Sequence, residues 1–202
     1  MKLICLDLEG VLVPEIWIAF SEASGIEELR RTTRDEPDYD KLMAFRLGIL
    51  SRKGLKLPDI QKVIAGMSPL PGAVEFTATL RAKTQLIILS DTFEQFARPL
   101  MRQLGYPVLF CNTLVTADDG TVVSWKLRQR NGKKKAVRAF KSCGCEVFAA
   151  GDSFNDLAMI EEAGKGCLYR APPAIIDAYP HIPCVENYGG LMGQVDAFLE
   201  NR

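Results

Sequence analysis

Two acidic residues, Asp7 and Glu9, come directly after the first apolar run of the chain, residues 2–6, and are followed by Gly10. Side chains alternate along an extended chain, so these two carboxylates point the same way at the end of a buried strand. Like charges this close repel each other and lose hydration, so they require a cation, a proton or solvent beside them. The pair is either a solvated strand end or a site where a carboxylate does chemistry.

A second apolar run, residues 86–89, ends in Ser90 and Asp91. A serine at the carboxyl end of a parallel strand can donate its hydroxyl and amide groups to a phosphate oxygen, although Ser-Asp is also a common pair at helix N-termini. The chain has no GxSxG nucleophile elbow, and His181 is its only histidine. A serine hydrolase is therefore not favoured.

Charged residues also begin two helix-like segments further along the chain. Lys133 follows Gly132 and is the first of three consecutive lysines, which oppose the helix dipole unless an anion is near. A solvated basic turn is the alternative, and we expect one of these lysines to point inward.

Gly151 ends another strand-like run and precedes three residues that suit a hard cation or a helix start: Asp152, Asn155 and Asp156. Helix capping explains one of these three but not all of them.

The spacing of apolar residues predicts an α/β fold. Strand-like runs at 2–6, 85–89, 107–111 and 145–150 alternate with helix-length segments at 72–83, 93–104, 133–143 and 155–164. This alternation is typical of a Rossmann-like parallel sheet with helices on both faces. In such a sheet the strand ends meet at one edge, which would bring together Asp7, Glu9, Ser90, Lys133 and Asp152. These groups suit Mg²⁺-dependent phosphoryl transfer through an acyl phosphate.

Two further segments differ from this alternation. Residues 14–70 show helical patterning at 16–24, 39–51 and 57–67 and have prolines at both ends. We predict a helical cap domain at 14–70, inserted after the first strand of a catalytic core formed by 1–13 and 71–202; a helical extension that only completes the core is the alternative. Residues 113–116 and 121–127 flank Asp118-Asp119-Gly120 and predict a β-hairpin as a local appendage.

Composition excludes several classes of function. Lysine plus arginine equals aspartate plus glutamate at 25 each among 202 residues, so no net charge favours nucleic acid or an anionic membrane surface. There is no leader-like start and no apolar run long enough to span a membrane, so we expect a soluble cytoplasmic protein. We expect the six cysteines to be reduced and mostly buried. Zinc at Cys143 and Cys145 is disfavoured, since only one histidine is present.

With these motifs the chain resembles the haloacid dehalogenase superfamily, and within it the phosphoserine phosphatase branch, over nearly its whole length. The matching motifs are Asp7 to Val11, Ser90, Lys133 and the segment 151–156. The resemblance implies that Asp7 is the nucleophile that becomes phosphorylated, and that Asp7, Glu9 through its backbone carbonyl, and Asp152 hold Mg²⁺. Glu9 would protonate the leaving oxygen and then activate water.

The resemblance also implies residues that contact the substrate. Ser90 and one lysine would hold the phosphoryl oxygens, with Lys133 the better fit and Lys134 the alternative. Glu15 matches the acid that meets a substrate ammonium, and Arg46 matches the arginine that grips its carboxylate, which suits O-phosphoserine. The remaining expected site residues are Asp91 and Asn155 as substrate-binding residues and Asp156 as a supporting residue.

Two positions depart from the family pattern. Glu9 stands where Asp is usual, and Val11 where Thr is usual. The longer side chain moves the proton donor by about one C–C bond, roughly 1.5 Å, which alters water activation more than phosphoryl capture. The pattern resembles the bifunctional phosphoserine phosphatase and homoserine phosphotransferase subgroup, in which homoserine can accept the phosphoryl group. Alternatives are a phosphatase of another small phosphomonoester and a non-catalytic phosphometabolite sensor. A homodimer and the role of the tail from Glu186 are left open.

Overall fold

A seven-stranded sheet organises the chain. The structure, a computed structural model, describes residues 1–33, 35–36 and 38–201; positions 34 and 37 of the predicted cap and position 202 of the predicted core lie outside the described residues. The strands are β1 Lys2–Leu6, β2 Gln85–Phe93, β3 Val108–Thr116, β4 Val122–Lys126, β5 Glu146–Gly151, β6 Gly166–Tyr169 and β7 Cys184–Val185. Their order is β4-β3-β2-β1-β5-β6-β7, and within the described residues β3 and β4 are the only neighbours that pair antiparallel.

The described helices lie mostly where the apolar spacing predicts them, although Pro173–Ala178 and Glu27–Arg30 have no predicted counterpart. They are α1 Ile16–Ser24, α2 Tyr39–Lys53, α3 Leu57–Ala65, α4 Ala73–Lys83, α5 Glu94–Gln103, α6 Gly132–Ser142, α7 Phe154–Ala163, α8 Pro173–Ala178 and α9 Tyr188–Glu200, with a short 3-10 helix at Glu27–Arg30. The predicted helix ends differ from these bounds by at most two residues. The α/β fold class is confirmed.

The central strand β1 shows why helices are needed on both faces of the sheet. Leu3 and Cys5 belong to one apolar cluster, together with Val137 of α6, while Ile4 and Leu6 belong to another. All four strand residues are buried. A parallel strand buried on both faces must be almost continuously apolar, which is the pattern of residues 2–6.

The predicted hairpin is not a separate appendage. β3 is one continuous strand that pairs in parallel with β2 up to Asn112 and antiparallel with β4 from Thr113 onwards. The prediction divided this strand into two pieces, residues 107–111 and 113–116, because Asn112 interrupts the apolar run. The predicted strands also omit β6 and β7, which have only four and two residues and so carry almost no periodic signal.

Helices α1 to α3 lie between β1 and α4 and share a core with the sheet. Phe20, Met43 and Ile60 from these helices belong to the same apolar cluster as Ile4 of β1. The β3–β4 turn also meets the start of α3, where the Leu57 amide donates to the Gly120 carbonyl at 2.9 Å. The inserted helices are thus held at the sheet and at the hairpin.

The carboxyl-terminal segment, for which the sequence indicates only a turn and a short helix, has a clear structural role. Tyr188 of α9 stacks between Phe76 and Tyr169, with ring centroids 4.8 and 5.2 Å away. Its hydroxyl donates to the Val11 carbonyl at 2.7 Å. The tail therefore helps to hold the segment that follows Asp7.

Two broader expectations can be compared with the structure. Within the described residues, all six cysteines are free thiols, as expected. The expectation that most of them are buried is wrong, because Cys5 and Cys167 are buried but Cys143 is exposed and the other three are partly exposed. None of the helices in the described ranges has the length and apolar character needed to cross a membrane.

Candidate active site

The ends of β1, β2 and β5 meet at one cavity. Asp7 follows β1, Ser90 lies near the end of β2, and Asp152 follows β5. The cavity measures about 80 Å³, far below the roughly 300–1,000 Å³ of sites for drug-sized ligands, so it suits a small polar molecule. The predicted site residues that line it are Asp7, Glu9, Glu15, Arg46, Ser90, Asp91, Lys133, Asp152 and Asn155.

A buried lysine lies between two carboxylates at the floor of this cavity. Lys133 Nζ is 2.9 Å from Asp7 Oδ2 and 2.7 Å from Asp156 Oδ1. Its side chain is 6% exposed, and those of Asp7 and Asp156 are 7% and 0% exposed. Lys134, the alternative lysine, points elsewhere, with Nζ 3.9 Å from Glu162 Oε2. The structure therefore places Lys133 in the site and Lys134 outside it.

Burial and neighbouring charges control the protonation of this cluster. Burial raises the pKa of Asp7 well above its usual value, and the negative charge of Asp156 adds to that effect, while Lys133 opposes it. Burial would lower the pKa of Lys133, but the carboxylates around it, above all Asp156, raise its pKa well above the usual value. Lys133 is therefore a permanent cation. A second cation would reduce the repulsion among the crowded carboxylates.

Asp156 is fixed by the start of α7. Its Oδ2 accepts hydrogen bonds from the backbone amides of Asp152 and Ser153, both at 3.1 Å, and forms a capping box with Ser153. Its Oδ1 accepts from Lys133. A Cβ at Gly151 would lie 2.2 Å from Asp156 Cγ, so only glycine leaves room for this carboxylate. Both Asp156 oxygens are thus occupied.

The carboxylates fit a divalent cation. Asp7, Asp152 and Asp156 each offer an oxygen, and these oxygens lie within 4.8 Å of one another. Carboxylate oxygens are the ligands that Mg²⁺ prefers. A Cβ at Gly10 would lie 2.5 Å from Asp152 Oδ2, so glycine permits the close approach of the loop after β1. Oxygens of Asp7 also meet donors, the Leu8 amide at 2.7 Å and Lys133 Nζ at 2.9 Å, so a cation would share these carboxylates with the hydrogen bonds around them.

Glu9 joins the loop after β1 to the first inserted helix. Its Oε2 accepts a hydrogen bond from the Ile16 amide at 2.9 Å. Glu15 is the N-cap residue of α1, but its side chain makes no capping hydrogen bond. Glu9, seven residues before Ile16 in the sequence, accepts the hydrogen bond from the first amide of the helix instead. A carboxylate at a helix N-terminus is stabilised by the helix dipole. Glu9 is thereby held at the cavity with a defined orientation.

Arg46 approaches the cavity from α2. Its guanidinium carbon lies 4.5 Å from the Trp17 ring centroid, and Nη2 donates to the Arg31 carbonyl at 2.8 Å. Burial lowers its pKa to about 10, against the opposing charges of Glu9 and Glu15. Its Nε is buried and has no hydrogen-bond partner among the described residues. Arg46 is therefore a cation beside the cavity, and its Nε–H group can still donate a hydrogen bond to a ligand.

Asp91 lies at the rim, where several segments meet. Asn155 Nδ2 donates to Asp91 Oδ2 at 2.8 Å, and Lys133 Nζ is 4.0 Å from the same oxygen. The Asp91 carbonyl accepts from the Tyr39 hydroxyl and from Asn112 Nδ2, each at 3.0 Å. The predicted site residues do not include Trp17, Tyr39 or Asn112. Their only sequence signal is a polar or aromatic residue inside an otherwise ordinary helix or strand pattern.

The sequence of this chain is similar to one family of hydrolases and to two bacterial enzymes. The profile of the haloacid dehalogenase-like hydrolases matches residues 1–164. Phosphoserine phosphatase from Pseudomonas syringae pv. tomato is 55% identical over 191 residues, which cover 95% of this chain and 81% of that protein. Phosphoserine phosphatase ThrH from Pseudomonas aeruginosa is 56% identical over 191 residues, which cover 95% of this chain and 93% of that protein.

Solved structures of lower identity show the same fold. A substrate-bound phosphoserine phosphatase complex has a TM-score of 0.77 at 22% identity and covers 98% of this chain and 97% of its own. A phospho-aspartyl intermediate analogue of phosphoserine phosphatase has a TM-score of 0.76 at 23% identity and covers 92% and 93% of the two chains. At these identities the likeness concerns the arrangement of helices and strands.

Proposed function

This chain belongs to the haloacid dehalogenase-like hydrolase family, and from that premise we propose that it is a Mg²⁺-dependent phosphatase of O-phosphoserine. One observation carries the choice of substrate: Glu15 and Arg46 line the same small cavity as Asp7 and Lys133. An amino acid with a phosphorylated side chain has an ammonium, a carboxylate and a phosphoryl group. The cavity has a complementary charge for each of them. The names of the two Pseudomonas relatives support the same substrate.

In the proposed reaction, Asp7 attacks the phosphorus atom. The bond between phosphorus and the serine oxygen breaks, an aspartyl phosphate forms, and Glu9 donates a proton to the departing oxygen. Water then attacks the phosphorus atom while Glu9 takes its proton, which releases inorganic phosphate and restores the Asp7 carboxylate. The hydrogen bond that Glu9 Oε2 accepts from the Ile16 amide supports this role, because it fixes the position of the Glu9 carboxyl group beside the cavity.

The proposed phosphoryl-binding residues come from β2 and from the starts of α6 and α7. We propose that Ser90 and Lys133 donate to its oxygens and that Asp91 and Asn155 form the adjacent wall. Asp7, Asp152 and the backbone carbonyl of Glu9 would hold Mg²⁺, which supplies neutralisation of charge on the phosphoryl oxygens. Asp156 supports this arrangement through Lys133 and the start of α7.

We propose that residues 14–70 act as a cap domain, here called the cap, over a core of residues 1–13 and 71–202. Glu15, Tyr39 and Arg46 reach the cavity from the cap. A cap that closes over bound substrate excludes water from the reacting groups and places the amino-acid end of the substrate. Arg46 would hold the substrate carboxylate and Glu15 its ammonium.

Homoserine is proposed as a second acceptor of the phosphoryl group. The support is Glu9, whose extra methylene relative to the usual Asp changes the position of the group that activates water. The test is an incubation of the protein with O-phosphoserine and Mg²⁺, with and without homoserine, followed by phosphorus NMR. Phosphate release supports the phosphatase, and phosphohomoserine supports transfer. If phosphoserine stays intact while another phosphomonoester is hydrolysed, the proposed substrate is wrong; if no phosphomonoester is hydrolysed, the chain is not the proposed enzyme.

A further inference from the structure

A bulge in β2 takes residues 90–92, including the backbone carbonyl of Asp91, out of the regular strand ladder. Leu89 is paired with Phe110 of β3, and the next pair joins Phe93 to Asn112, so four steps along β2 match two steps along β3. Residues 90–92 therefore project from the ladder, which turns Ser90 toward the cavity. Bulged residues lose regular ladder partners, and a buried carbonyl without a donor costs free energy.

Two side chains supply donors to this carbonyl, which belongs to Asp91. Asn112 Nδ2 and the Tyr39 hydroxyl each lie 3.0 Å from its oxygen. A carbonyl oxygen has two lone pairs, so this pair of donors satisfies it completely. The donors come from different parts of the fold: Asn112 belongs to β3 of the core, whereas Tyr39 begins α2 of the cap.

Asn112 makes a second connection with its other amide atom. Its Oδ1 accepts a hydrogen bond from the Arg128 amide at 3.0 Å, and Arg128 Nη2 in turn donates to the Gly132 carbonyl at 3.3 Å. Gly132 begins α6, the helix that carries Lys133. Asn112 is 6% exposed. One buried amide therefore connects the bulge that carries Ser90 with the segment that leads to Lys133.

We propose that Asn112 and Tyr39 are positioning residues for the phosphoryl site, and that Tyr39 makes the placement of Ser90 depend on a closed cap. This inference rests on the proposed function, in which Ser90 and Lys133 hold the phosphoryl oxygens. Burial and the Asp91 carboxylate raise the pKa of Tyr39, so its hydroxyl remains protonated and able to donate. Asn112 is not one of the described residues that line the cavity. It therefore acts through its hydrogen bonds to Asp91 and Arg128.

Two single-atom changes test the proposal. Asn112→Asp keeps the acceptor for the Arg128 amide but replaces the donor to the Asp91 carbonyl with an oxygen. Tyr39→Phe removes only the hydroxyl. Asn187→Asp, which preserves the N-cap acceptor of α9, and Tyr179→Phe are matched controls outside the site. The measurements, in Mg²⁺, are kcat and KM for O-phosphoserine and p-nitrophenyl phosphate, the inhibition constant of orthovanadate, and the Tm.

Both variants are expected to impair both substrates, and Asn112→Asp is expected to have the larger effect. Asn112→Asp should raise the vanadate inhibition constant and lower kcat/KM for both substrates by about tenfold to a hundredfold, since small displacements of positioned groups have effects of that size. Tyr39→Phe should lower kcat/KM about fivefold or more for O-phosphoserine. It should lower kcat/KM for p-nitrophenyl phosphate by a similar factor, because Ser90, whose bulge the Tyr39 hydroxyl holds, binds the phosphoryl group of either substrate. The double variant should lose less than the product of the single losses, because both donors act on one carbonyl.

The opposite results would overturn the proposal. A folded Asn112→Asp variant whose vanadate inhibition constant and kcat/KM match those of Asn187→Asp would show that the amide has only a structural role. If Asn112→Asp does not fold, an unchanged kcat/KM of Tyr39→Phe on O-phosphoserine would overturn it instead. A wild-type protein that binds vanadate but leaves O-phosphoserine intact would refute the proposed substrate, while the vanadate constants would still decide the role of Asn112.

Discussion

The ammonium of Lys133 lies 2.9 Å from the carboxylate of Asp7, and both side chains are almost completely buried. The two residues are far apart in the chain, one after the first strand and the other at the start of α6. A buried pair of this kind is costly to break, because the remaining charge has no solvent to replace its partner. The proposed nucleophile and phosphate-binding cation thus depend on each other.

Lys133 and Lys134 provide a matched comparison. Lys133→Met should reduce the rate of O-phosphoserine hydrolysis by about a hundredfold or more, since it removes a charged donor from the phosphoryl site. It should also lower the free energy of unfolding by roughly 3 kcal/mol, because Asp7 and Asp156 lose their buried counter-charge. Lys134→Met should be close to wild type in both measurements. Equal losses in the two variants, by steady-state kinetics and urea unfolding, would contradict the assignment of Lys133.

Arg46 is expected to distinguish substrates by their carboxylate. Arg46→Met should raise KM for O-phosphoserine by roughly tenfold to a hundredfold, because a charged hydrogen bond contributes about 1.5–3 kcal/mol. O-Phosphoethanolamine has the ammonium but no carboxylate, so its KM should change much less. Arg52→Met, on the exposed end of the same helix, is the control. If both substrates respond equally to Arg46→Met, the arginine does not bind the carboxylate.

Mg²⁺ is expected to stabilise the folded protein by binding to it. At a concentration about a hundred times its Kd, a ligand of the native state adds about 2.7 kcal/mol to the free energy of unfolding. A thermal shift titration should show this as a rise in Tm. The rise should be lost in Asp152→Asn and retained in Asp177→Asn, an exposed change in α8. A rise that persists in Asp152→Asn would place the cation elsewhere.

The cysteines are expected to differ strongly in reactivity. Burial raises the pKa values of Cys5 and Cys167 to about 12, so both remain protonated and shielded at mildly alkaline pH. Cys143 is exposed and should be alkylated first. Mass spectrometry after brief iodoacetamide treatment should find label on Cys143, and on Cys5 only after unfolding. Early labelling of Cys5 would mean that the centre of the sheet opens readily.

Much of the fold follows from apolar spacing. The buried run at residues 2–6 and the regular helix patterns carry strong periodic signals, and parallel strands that end at one edge bring Asp7, Ser90 and Asp152 together. The strands β6 and β7 are too short for such a signal. The continuity of β3 is hidden by Asn112, whose polar side chain makes hydrogen bonds with the backbone of Asp91 and Arg128.

The positioning contacts could not be predicted in the same way. Tyr39 and Asn112 are 52 and 21 residues from Asp91 in the chain, and their hydrogen bonds depend on the bulge in β2. The hydrogen bond from the Ile16 amide to Glu9 satisfies a donor at the start of α1, where the N-cap residue Glu15 makes no side-chain capping bond. Such contacts arise from tertiary structure, and no local pattern of residues encodes them.

The phosphorylation of Asp7 tests the central claim most directly. The protein is mixed with radiolabelled O-phosphoserine and Mg²⁺, quenched in acid within one turnover, and digested for peptide mapping. We predict label on the peptide that contains Asp7, its loss on treatment with hydroxylamine, which cleaves acyl phosphates, and no label in Asp7→Asn. Label on another residue, or turnover and labelling that survive in Asp7→Asn, would contradict the account.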